Sequence, residues 1–451
     1  MYDVGDPAAI ERQGRRLINR RVGDLVDVLA GERQGTYTKG SVGRYVETYF
    51  GLAANSEAGP DFAEAGVELK TVPLLRKGSG PWTAKERTFI TAIDYMTIVD
   101  QPFDGSPLDL KTRFTLYVFY EWQPEVPISE FKVLGVLLHE RDELDDLMLR
   151  ELHQHVKDAV LAGRADELSE GDTWGVGAAT KDAGGRTVRQ PFGPEPARRR
   201  AFAYKPLYTT RLWQLAKHRA AVEVVPGALP DSLSAFAAQV DDKVSAWHGV
   251  TVAELVQELA PDKDPRAKNI VSVVSRRLLG SEGRRDVEAF DRLGVTIRTI
   301  RVDPETFLPH EDVSFPAFDP RALADEEWES SSLLPLISAL YFMVFVADGD
   351  EAVLDARLLG GFFWRPSTDE LSTMGSEWQA LRDAFAASEP EARPQASATE
   401  ILHVRPHGRN KHDTLPLPSG RPFVKSSFWL NRAFVRQLVA THLRDQAERL
   451  T

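Results

Sequence analysis

The apolar and polar positions of the chain repeat a pattern after about 228 residues. Residues 66–74, GVELKTVPL, align with residues 294–302, GVTIRTIRV, and both segments are rich enough in β-branched residues to predict a strand. Farther along, residues 114–120, FTLYVFY, align with residues 339–345, ALYFMVF, and both predict buried strands. The repeat predicts that the chain is built from two related halves.

The predicted helices occur in the same order in both halves. Apolar residues at helical spacing precede the first strand of each half, at residues 22–31 and 249–260. Longer helical segments follow the second strand, at about residues 141–163 and 376–388. Each half is therefore predicted to be an α/β domain.

The segment between the halves has the composition of a linker. Residues 221–234 contain two prolines and a glycine, which punctuate regular structure. With 451 residues, the chain is long enough for two or three domains. We expect two tandem α/β domains, residues 1–225 and 231–451, each with a mixed central sheet flanked by helices.

The composition excludes several classes of protein. Hydrophobic residues make up 42% and charged residues 27% of the chain, as in ordinary globular proteins and unlike disordered ones. The absence of cysteine excludes a disulfide framework, thiol catalysis and a cysteine-type zinc site. We find no apolar segment suited to a signal peptide or a membrane span, so we expect a cytoplasmic protein with no membrane partner.

The distribution of charge points to a nucleic acid more than the net charge does. A net charge of −12 alone argues against such a partner, because basic surface supplies most non-specific DNA affinity. Residues 181–219, however, contain ten basic side chains and two acidic ones, and residues 401–436 contain seven basic side chains and one acidic one. These basic segments indicate DNA contact or, alternatively, two solvated surfaces.

The most informative chemical pattern is Pro-Asp followed, after six residues, by Glu-Leu-Lys. In a strand over residues 67–74, Glu68 and Lys70 point to one face and Leu69 to the other. If Asp61 lies beside them, two carboxylates and one ammonium group meet. Carboxylates are the ligands that Mg²⁺ prefers, and a phosphodiester is the substrate that suits such a site. The alternative interpretation is a solvated ion pair.

Two weaker signals carry no catalytic prediction. The segment GVGAATK at residues 175–181 lacks the spacing of a phosphate-binding loop, and we interpret it as a turn. His153 and His155 lie two residues apart in a predicted helix, which directs them to different faces. We expect both to be exposed to solvent and not to share a metal ion.

The segment PDFAEAGVELKTVPL, residues 60–74, resembles the active-site segment of the MutH mismatch-repair endonucleases and the related GATC-cutting type II restriction enzymes. These proteins are members of the PD-(D/E)xK nuclease superfamily. The resemblance implies a nuclease fold, hydrolysis of double-stranded DNA and Mg²⁺ as cofactor, with Mn²⁺ as a substitute. It also suggests GATC as the recognition site.

The resemblance implies a role for each residue of the pattern. Asp61 and Glu68 correspond to the metal ligands. Glu47, in GRYVETYFG fourteen residues before the aspartate, matches a further carboxylate of the family. Lys70, together with Lys111 just ahead of the second strand, corresponds to the cationic catalytic groups.

The resemblance extends to the late segments that enter the DNA grooves in this family. Residues 172–181 and 200–213 match them weakly, and residues 400–410 and 420–439 match them more clearly. These segments coincide with the basic stretches. The candidate DNA-contacting residues are Lys181, Tyr204, Lys205, Arg405, His407 and Lys425. Arginine in particular suits bidentate recognition of guanine.

The second half lacks the chemical residues of the first. Thr296 and Arg298 stand at the Glu-x-Lys positions, Ala289 at the position of the aspartate, and Pro335 near that of the second lysine. Two-domain restriction enzymes of this family are similar in having a pseudo-catalytic domain that binds a second copy of the site. We therefore expect an allosteric DNA-binding domain, two DNA sites bound at once and a DNA-induced dimer.

The expected function is that of a type II restriction endonuclease whose first half is catalytic. Two alternatives remain at this point: a strand-nicking repair endonuclease, and a non-catalytic DNA-binding regulator with a vestigial nuclease fold. The presence of Glu47, Asp61, Glu68 and Lys70 argues against the regulator.

Overall fold

The structure, a computed structural model, divides into two compact units. The first comprises residues 1–229 and 292–294, and the second comprises residues 230–291 and 295–451. The described residues are 2–26, 41–52, 59–76, 81–123, 126–181, 186–193, 196–217, 233–280, 288–310, 312–328, 331–348 and 352–448. Both predicted domain limits, at residues 225 and 231, lie outside the described residues.

The first unit contains helices and strands in alternation. Its helices are α1 (Pro7–Arg15), α2 (Val22–Val26), α3 (Ser41–Tyr49), α4 (Tyr95–Ile98), α5 (Pro107–Thr112), α6 (Glu143–Leu161) and α7 (Pro206–Lys217). Its strands are β1 (Val67–Arg76), β2 (Trp82–Ala84), β3 (Thr88–Ala92), β4 (Phe114–Glu121), β5 (Val133–Glu140), β6 (Val176–Thr180), β7 (Thr187–Val188), β8 (Ala197–Arg198) and β9 (Arg200–Tyr204). Single turns of 3₁₀ helix cover Ile128–Glu130 and Glu170–Asp172.

The main sheet of the first unit is mixed, with strand order β2-β1-β4-β5. Strands β1 and β4 are parallel, with Glu68 opposite Thr115, and β5 is antiparallel to β4. A second sheet has the order β3-β9-β6. Because β1 and β4 are parallel, the chain must cross between them, and α5 lies on this crossover immediately before β4.

The core of the first unit forms where the helices before β1 pack on the main sheet. Ile10 of α1 and Val46 of α3 belong to the same buried cluster as Val67, Leu116 and Val118 of the two central strands. Strand β4 is a nearly continuous apolar run, as expected for a strand covered on both faces. This packing holds α3 against β1, the strand that carries the Glu-Leu-Lys pattern.

The second unit follows a similar order of elements, with one more helix before its first strand and no counterpart of β2 among the described residues. From residue 233 onward the helices are α8 (Leu233–Ser245), α9 (Val252–Leu259), α10 (Ile270–Leu278), α11 (Glu288–Leu293), α12 (Pro320–Ala324), α13 (Leu334–Ile337), α14 (Thr368–Ala386) and α15 (Arg432–Glu448). The strands are β10 (Thr296–Val302), β11 (Val313–Ala317), β12 (Leu340–Val346), β13 (Arg357–Trp364), β14 (Leu402–Pro406), β15 (Thr414–Pro416), β16 (Pro422–Val424) and β17 (Ser426–Leu430). Single 3₁₀ turns cover Pro390–Ala392 and Ala396–Ala398.

Corresponding strands of the two units pair in the same order and direction. In the order β10-β12-β13, the first pair is parallel and the second antiparallel. The sheet β11-β17-β14 corresponds to β3-β9-β6, with the last strand of each unit at its centre. The core of the second unit contains Phe342 of β12 together with Trp378 and Phe385 of α14. The 228-residue sequence repeat therefore has a counterpart in strand order.

Most of the predicted elements are present. The strands predicted over residues 66–74, 294–302, 114–120 and 339–345 correspond to β1, β10, β4 and β12. The prediction for residues 175–181 was wrong, because residues 176–180 form strand β6 rather than a turn. Its backbone pairs with β9, a long-range contact that local composition does not reveal.

The helix predictions differ from the structure mainly in length. The helix predicted over 141–163 is α6, and that over 249–260 is α9. Helix α14 begins eight residues earlier than the predicted 376, at a capping box formed by Ser367 and Glu370. Helix α2 covers the start of 22–31, and residues 27–31 lie outside the described part. No helix within the described ranges is long and apolar enough to cross a bilayer.

The packing of β4 against the helices gives a stability prediction. Leu116 is completely buried, whereas Leu161 at the end of α6 is 47% exposed. We expect Leu116→Ala to lower the free energy of unfolding by about 2–5 kcal/mol, because it leaves a cavity in the core. Leu161→Ala should change it by less than about 0.5 kcal/mol. Urea unfolding of the two variants tests this, and equal midpoints would contradict the packing described here.

Candidate active site

A tight turn places Asp61 beside strand β1. The backbone amide of Phe62 donates to the carbonyl of Val67 at 2.9 Å, and the amide of Val67 donates back at 3.2 Å. Gly66 has a φ of 66°, a left-handed conformation that favours glycine. The turn lets the backbone amide of Leu69 donate to Oδ2 of Asp61 at 2.9 Å. Asp61 is therefore fixed next to the Glu-Leu-Lys segment, as the sequence predicts.

Glu68 is the buried centre of the site, with only 2% of its surface exposed. Nζ of Lys70 lies 2.7 Å from its Oε1, and Nζ of Lys111 lies 3.2 Å from its Oε2. A buried carboxylate is costly unless it is paired and hydrogen-bonded. The two ammonium groups meet this requirement, so the three side chains form one charged cluster.

Helix α5 brings Lys111 to this cluster. The helix begins after Ser106, whose hydroxyl accepts a hydrogen bond from the amide of Asp109 at 3.1 Å, and Pro107 occupies the first helical position. Lys111 lies in the last turn of α5, directly before β4, the parallel neighbour of β1. Lys111 therefore reaches Glu68 because α5 ends just before β4 and β4 pairs with β1.

Glu47 approaches the same place from helix α3. Burial, and then the negative charge of Asp61, raise the pKa of Glu47 above its ordinary value, and Glu68 acts in the same direction. The negative charges of Asp61 and Glu68 therefore act on the Glu47 carboxyl group. Glu47 and Lys70 also line a cleft of about 270 Å³ that opens beside β1.

The donor set fits a hard divalent cation. Among the described residues, no three acidic or histidine side chains are already grouped as a complete metal cage. Mg²⁺ needs no such cage, because one or two carboxylates with water and substrate phosphate commonly hold it. Asp61 and Glu68 supply this type of oxygen ligand. A cation here would also relieve the repulsion that raises the pKa of Glu47.

Sequence reasoning missed an ion pair that borders the cleft. Arg87 lines the cleft, and its Nη1 lies 2.7 Å from Oε2 of Glu170, which is buried. The two residues are far apart in the sequence and belong to no shared motif, so no local signal links them. Their pairing holds a cation at the wall of the cleft.

The histidine prediction was half wrong. His153 is buried, with its ring 5.8 Å from that of Phe103, and burial lowers its pKa. His155 is partly exposed and lies 3.1 Å from Oδ2 of Asp172. The two rings have different partners, in agreement with their position on different faces of α6.

The candidate DNA-contacting residues of the first unit have unequal access to solvent. Lys181 is exposed at the end of β6. Tyr204 is 3% exposed and stacks on Tyr208, with ring centroids 4.3 Å apart. Lys205 is 1% exposed, and its Nζ donates to the carbonyl of Thr173 at 2.6 Å. In this arrangement, Tyr204 and Lys205 support the interior and do not present their side chains to a duplex.

The candidate residues of the second unit lie together on one ladder. Arg405 is opposite Ser427 in the pairing of β14 with β17, and the amide of His407 donates to the carbonyl of Lys425 at 2.7 Å. Both cations have carboxylate partners. Arg405 contacts Asp312 at 2.5 Å, and Lys425 contacts Asp413 at 2.5 Å. A DNA phosphate must compete with these carboxylates.

Part of the first unit is similar in sequence to a known family. Residues 50–151 match the family model described as DNA mismatch repair enzyme MutH. The match includes Asp61, Glu68, Lys70 and Lys111, and it begins three residues after Glu47. The chain contains a MutH-like domain.

The similarity to individual proteins extends beyond the MutH-like domain. The type II restriction enzyme Sau3AI of Staphylococcus aureus is 26% identical, over 93% of this chain and 96% of that enzyme. The DNA mismatch repair protein MutH of Shewanella woodyi is 25% identical over 35% of this chain and 66% of its own length. For MutH of Pasteurella multocida the identity is 28%, over 29% of this chain and 57% of that protein.

The charged cluster of the MutH-like domain predicts a selective loss of activity. Lys70→Met removes an ammonium group that contacts the Glu68 carboxylate and lines the cleft. We expect the rate of DNA cleavage to fall by about 100-fold or more, because preorganised charge stabilises the transition state. Lys132→Met, an exposed lysine of the same unit, is the matched control and should cleave at the wild-type rate. Similar rates for the two variants would contradict a role for Lys70.

Proposed function

We propose that this chain is a type II restriction endonuclease that hydrolyses double-stranded DNA at a short GATC-like site. The observation that carries the proposal is the convergence of Asp61, Glu68, Lys70 and Lys111 within a MutH-like domain. Similarity to a type II restriction enzyme along 93% of the chain supports restriction cleavage as the activity.

The proposed mechanism assigns one task to each side chain. Asp61 and Glu68 would hold Mg²⁺, or Mn²⁺ in its place, and Glu47 would add a third carboxylate at the edge of the cleft. When bound, the ion would polarise the scissile phosphate and lower the pKa of a bound water. Lys70 orients the attacking water in the cleft, and Lys111 holds Glu68 in place from the other side.

The substrate is proposed to lie along the open side of the cleft. Of the first-unit candidates, Lys181 is exposed, whereas Tyr204 and Lys205 are buried. In the second unit, the exposed His407 with the partly exposed Arg405 and Lys425 forms the proposed DNA-contacting ladder. We propose that this unit has a degenerate nuclease fold, binds a second copy of the site and promotes a DNA-induced dimer.

The proposed role of Asp61 as a metal ligand predicts that its substitution affects DNA cleavage but not DNA binding. Asp61→Asn keeps an oxygen for the Leu69 amide but removes the negative charge that a cation needs. We expect cleavage to fall by about 100-fold or more, with duplex affinity in Ca²⁺ buffer changed by less than about threefold. Glu64→Gln, an exposed carboxylate in the same segment, should leave both measurements unchanged. Wild-type cleavage by Asp61→Asn would contradict the assignment.

The MutH relatives make strand nicking the second candidate function, and a plasmid assay separates the two. With Mg²⁺ and a supercoiled plasmid of known sequence, we expect linear fragments with ends at GATC-like sites. EDTA should abolish cutting, and Mn²⁺ should restore it. Accumulation of open-circular DNA without linear product would instead support a nicking enzyme, and no cutting with either ion would contradict both candidates.

A further inference from the structure

Helix α5, which carries Lys111, also carries a fully buried carboxylate. Asp109 has no exposed surface, and an aspartate is almost never fully buried unless it is paired. Its side chain accepts hydrogen bonds from the amide of Gly105 at 2.7 Å, from Nε of Arg113 at 3.1 Å and from Nη2 of Arg141 at 2.8 Å. These three donors offset the cost of burying the charge.

The same donors keep Asp109 ionised. Burial by itself raises the pKa of Asp109, but the hydrogen bonds from Arg113, the Gly105 amide and Arg141 outweigh burial and lower the pKa to about 2. The carboxylate is therefore charged at neutral pH, and its hydrogen bonds to the two guanidinium groups are charge-assisted. Loss of one partner leaves the other charge uncompensated in a buried place, so these contacts hold α5 firmly.

Arg141 ties Asp109 to the main sheet. It directly follows strand β5, whose last residue is Glu140. Nη1 of Arg141 also donates to the hydroxyl of Thr112 at 3.1 Å, and its backbone amide donates to the carbonyl of Arg113 at 2.9 Å. Helix α5 has only six residues, too few to be stable by itself in water. The contacts with Arg141 therefore determine where this short helix lies.

Lys111 extends from the side of α5 opposite to Asp109. Residues two apart on a helix differ in direction by about 200°, so these two side chains point away from each other. Nζ of Lys111 lies 3.2 Å from Oε2 of Glu68, and its carbonyl accepts a hydrogen bond from the hydroxyl of Thr115 at 3.3 Å. Thr115 is the residue of β4 opposite Glu68. The helix is thus held between a buried ion pair on one side and the charged cluster on the other.

We propose that Asp109 is a positioning residue for DNA cleavage, which fixes α5 to Arg141 so that Lys111 reaches the Glu68 carboxylate. Asp109 touches neither the substrate nor the metal ion and acts through Lys111. The inference rests on the proposed function for the reaction that the charged cluster serves. A displacement of about 1 Å at a distance from the chemistry can lower a rate about 100-fold, so a loosened α5 has a measurable effect.

The first test is a double-mutant cycle in the full-length protein, with the cleavage rate measured at saturating DNA in Mg²⁺. Asp109→Asn keeps the shape of the side chain but removes its charge. We expect it to lower the rate by about tenfold, with duplex affinity in Ca²⁺ buffer changed by less than about threefold. In a Lys111→Met background the same change should cause no further loss, because it acts through Lys111.

Two results of this cycle overturn the inference. One is a wild-type cleavage rate for Asp109→Asn. The other is a further loss of about tenfold when Asp109→Asn is added to Lys111→Met, because independent effects multiply and would indicate a general structural role.

The matched control is Asp94→Asn. Asp94 also accepts a backbone amide at the start of a short helix, α4, but it is exposed, so this variant should cleave at the wild-type rate. An equal loss in Asp94→Asn and Asp109→Asn overturns the inference. Urea unfolding shows whether each variant is folded. If Asp109→Asn is not, Arg113→Gln replaces it, because that side chain is 49% exposed, and we expect a rate about threefold lower.

The second test measures the position of Lys111 without DNA. Reductive methylation of the folded protein, followed by mass spectrometry, gives the labelling rate of each lysine. Lys111 is largely buried and paired with Glu68, so we expect slow labelling in the wild type and severalfold faster labelling in Asp109→Asn or Arg113→Gln. The exposed Lys132 should be labelled at the same rate in all three proteins. Unchanged labelling of Lys111 overturns the inference.

The two tests together separate this inference from the proposed function. A wild-type protein that cuts no DNA with Mg²⁺ or Mn²⁺ contradicts the proposed function, and the labelling of Lys111 then decides whether Asp109 positions that side chain. A wild-type protein that cuts DNA, with an Asp109→Asn variant that cuts equally well, overturns only this inference.

Discussion

The interaction on which the account depends is the pairing of one buried carboxylate with two ammonium groups. Glu68 is almost fully buried, and removing either lysine leaves part of a buried charge uncompensated. The two lysines that pair with Glu68 belong to different elements. Lys70 lies on the same strand as Glu68, and Lys111 lies on the crossover helix α5. The fold of the first unit therefore determines the chemistry, because the parallel pairing of β1 and β4 is what brings these groups together.

The two units show how one arrangement of strands supports different chemistry. In both units a glycine turn precedes a strand that pairs in parallel with a buried apolar strand. In the first unit that strand carries a carboxylate and an amine, and in the second it carries Thr296 and Arg298. The first set suits a divalent ion and a phosphodiester. The second set lacks the Glu-x-Lys pair of the first.

The central strands and the charged cluster could be predicted from the sequence because they depend on local signals. Strand alternation places Glu68 with Lys70, and the family pattern supplies Asp61, Glu47 and Lys111. Features that depend on long-range pairing could not be predicted in this way. Strand β6 is an example, because only its pairing with β9 distinguishes it from a turn. The Arg87 and Glu170 pair, and the burial of Tyr204 and Lys205, likewise depend on tertiary packing.

The central claim is that Asp61 and Glu68 hold a divalent ion next to a DNA phosphate. The most direct measurement is anomalous scattering from crystals of the full-length protein with Mn²⁺ and a duplex whose scissile linkage resists hydrolysis. The account predicts a peak at about 2.1 Å from carboxylate oxygens of both Asp61 and Glu68 and from a phosphate oxygen. A peak held by other residues, or Mn²⁺-dependent cleavage by crystals that show no peak at this cluster, would contradict it.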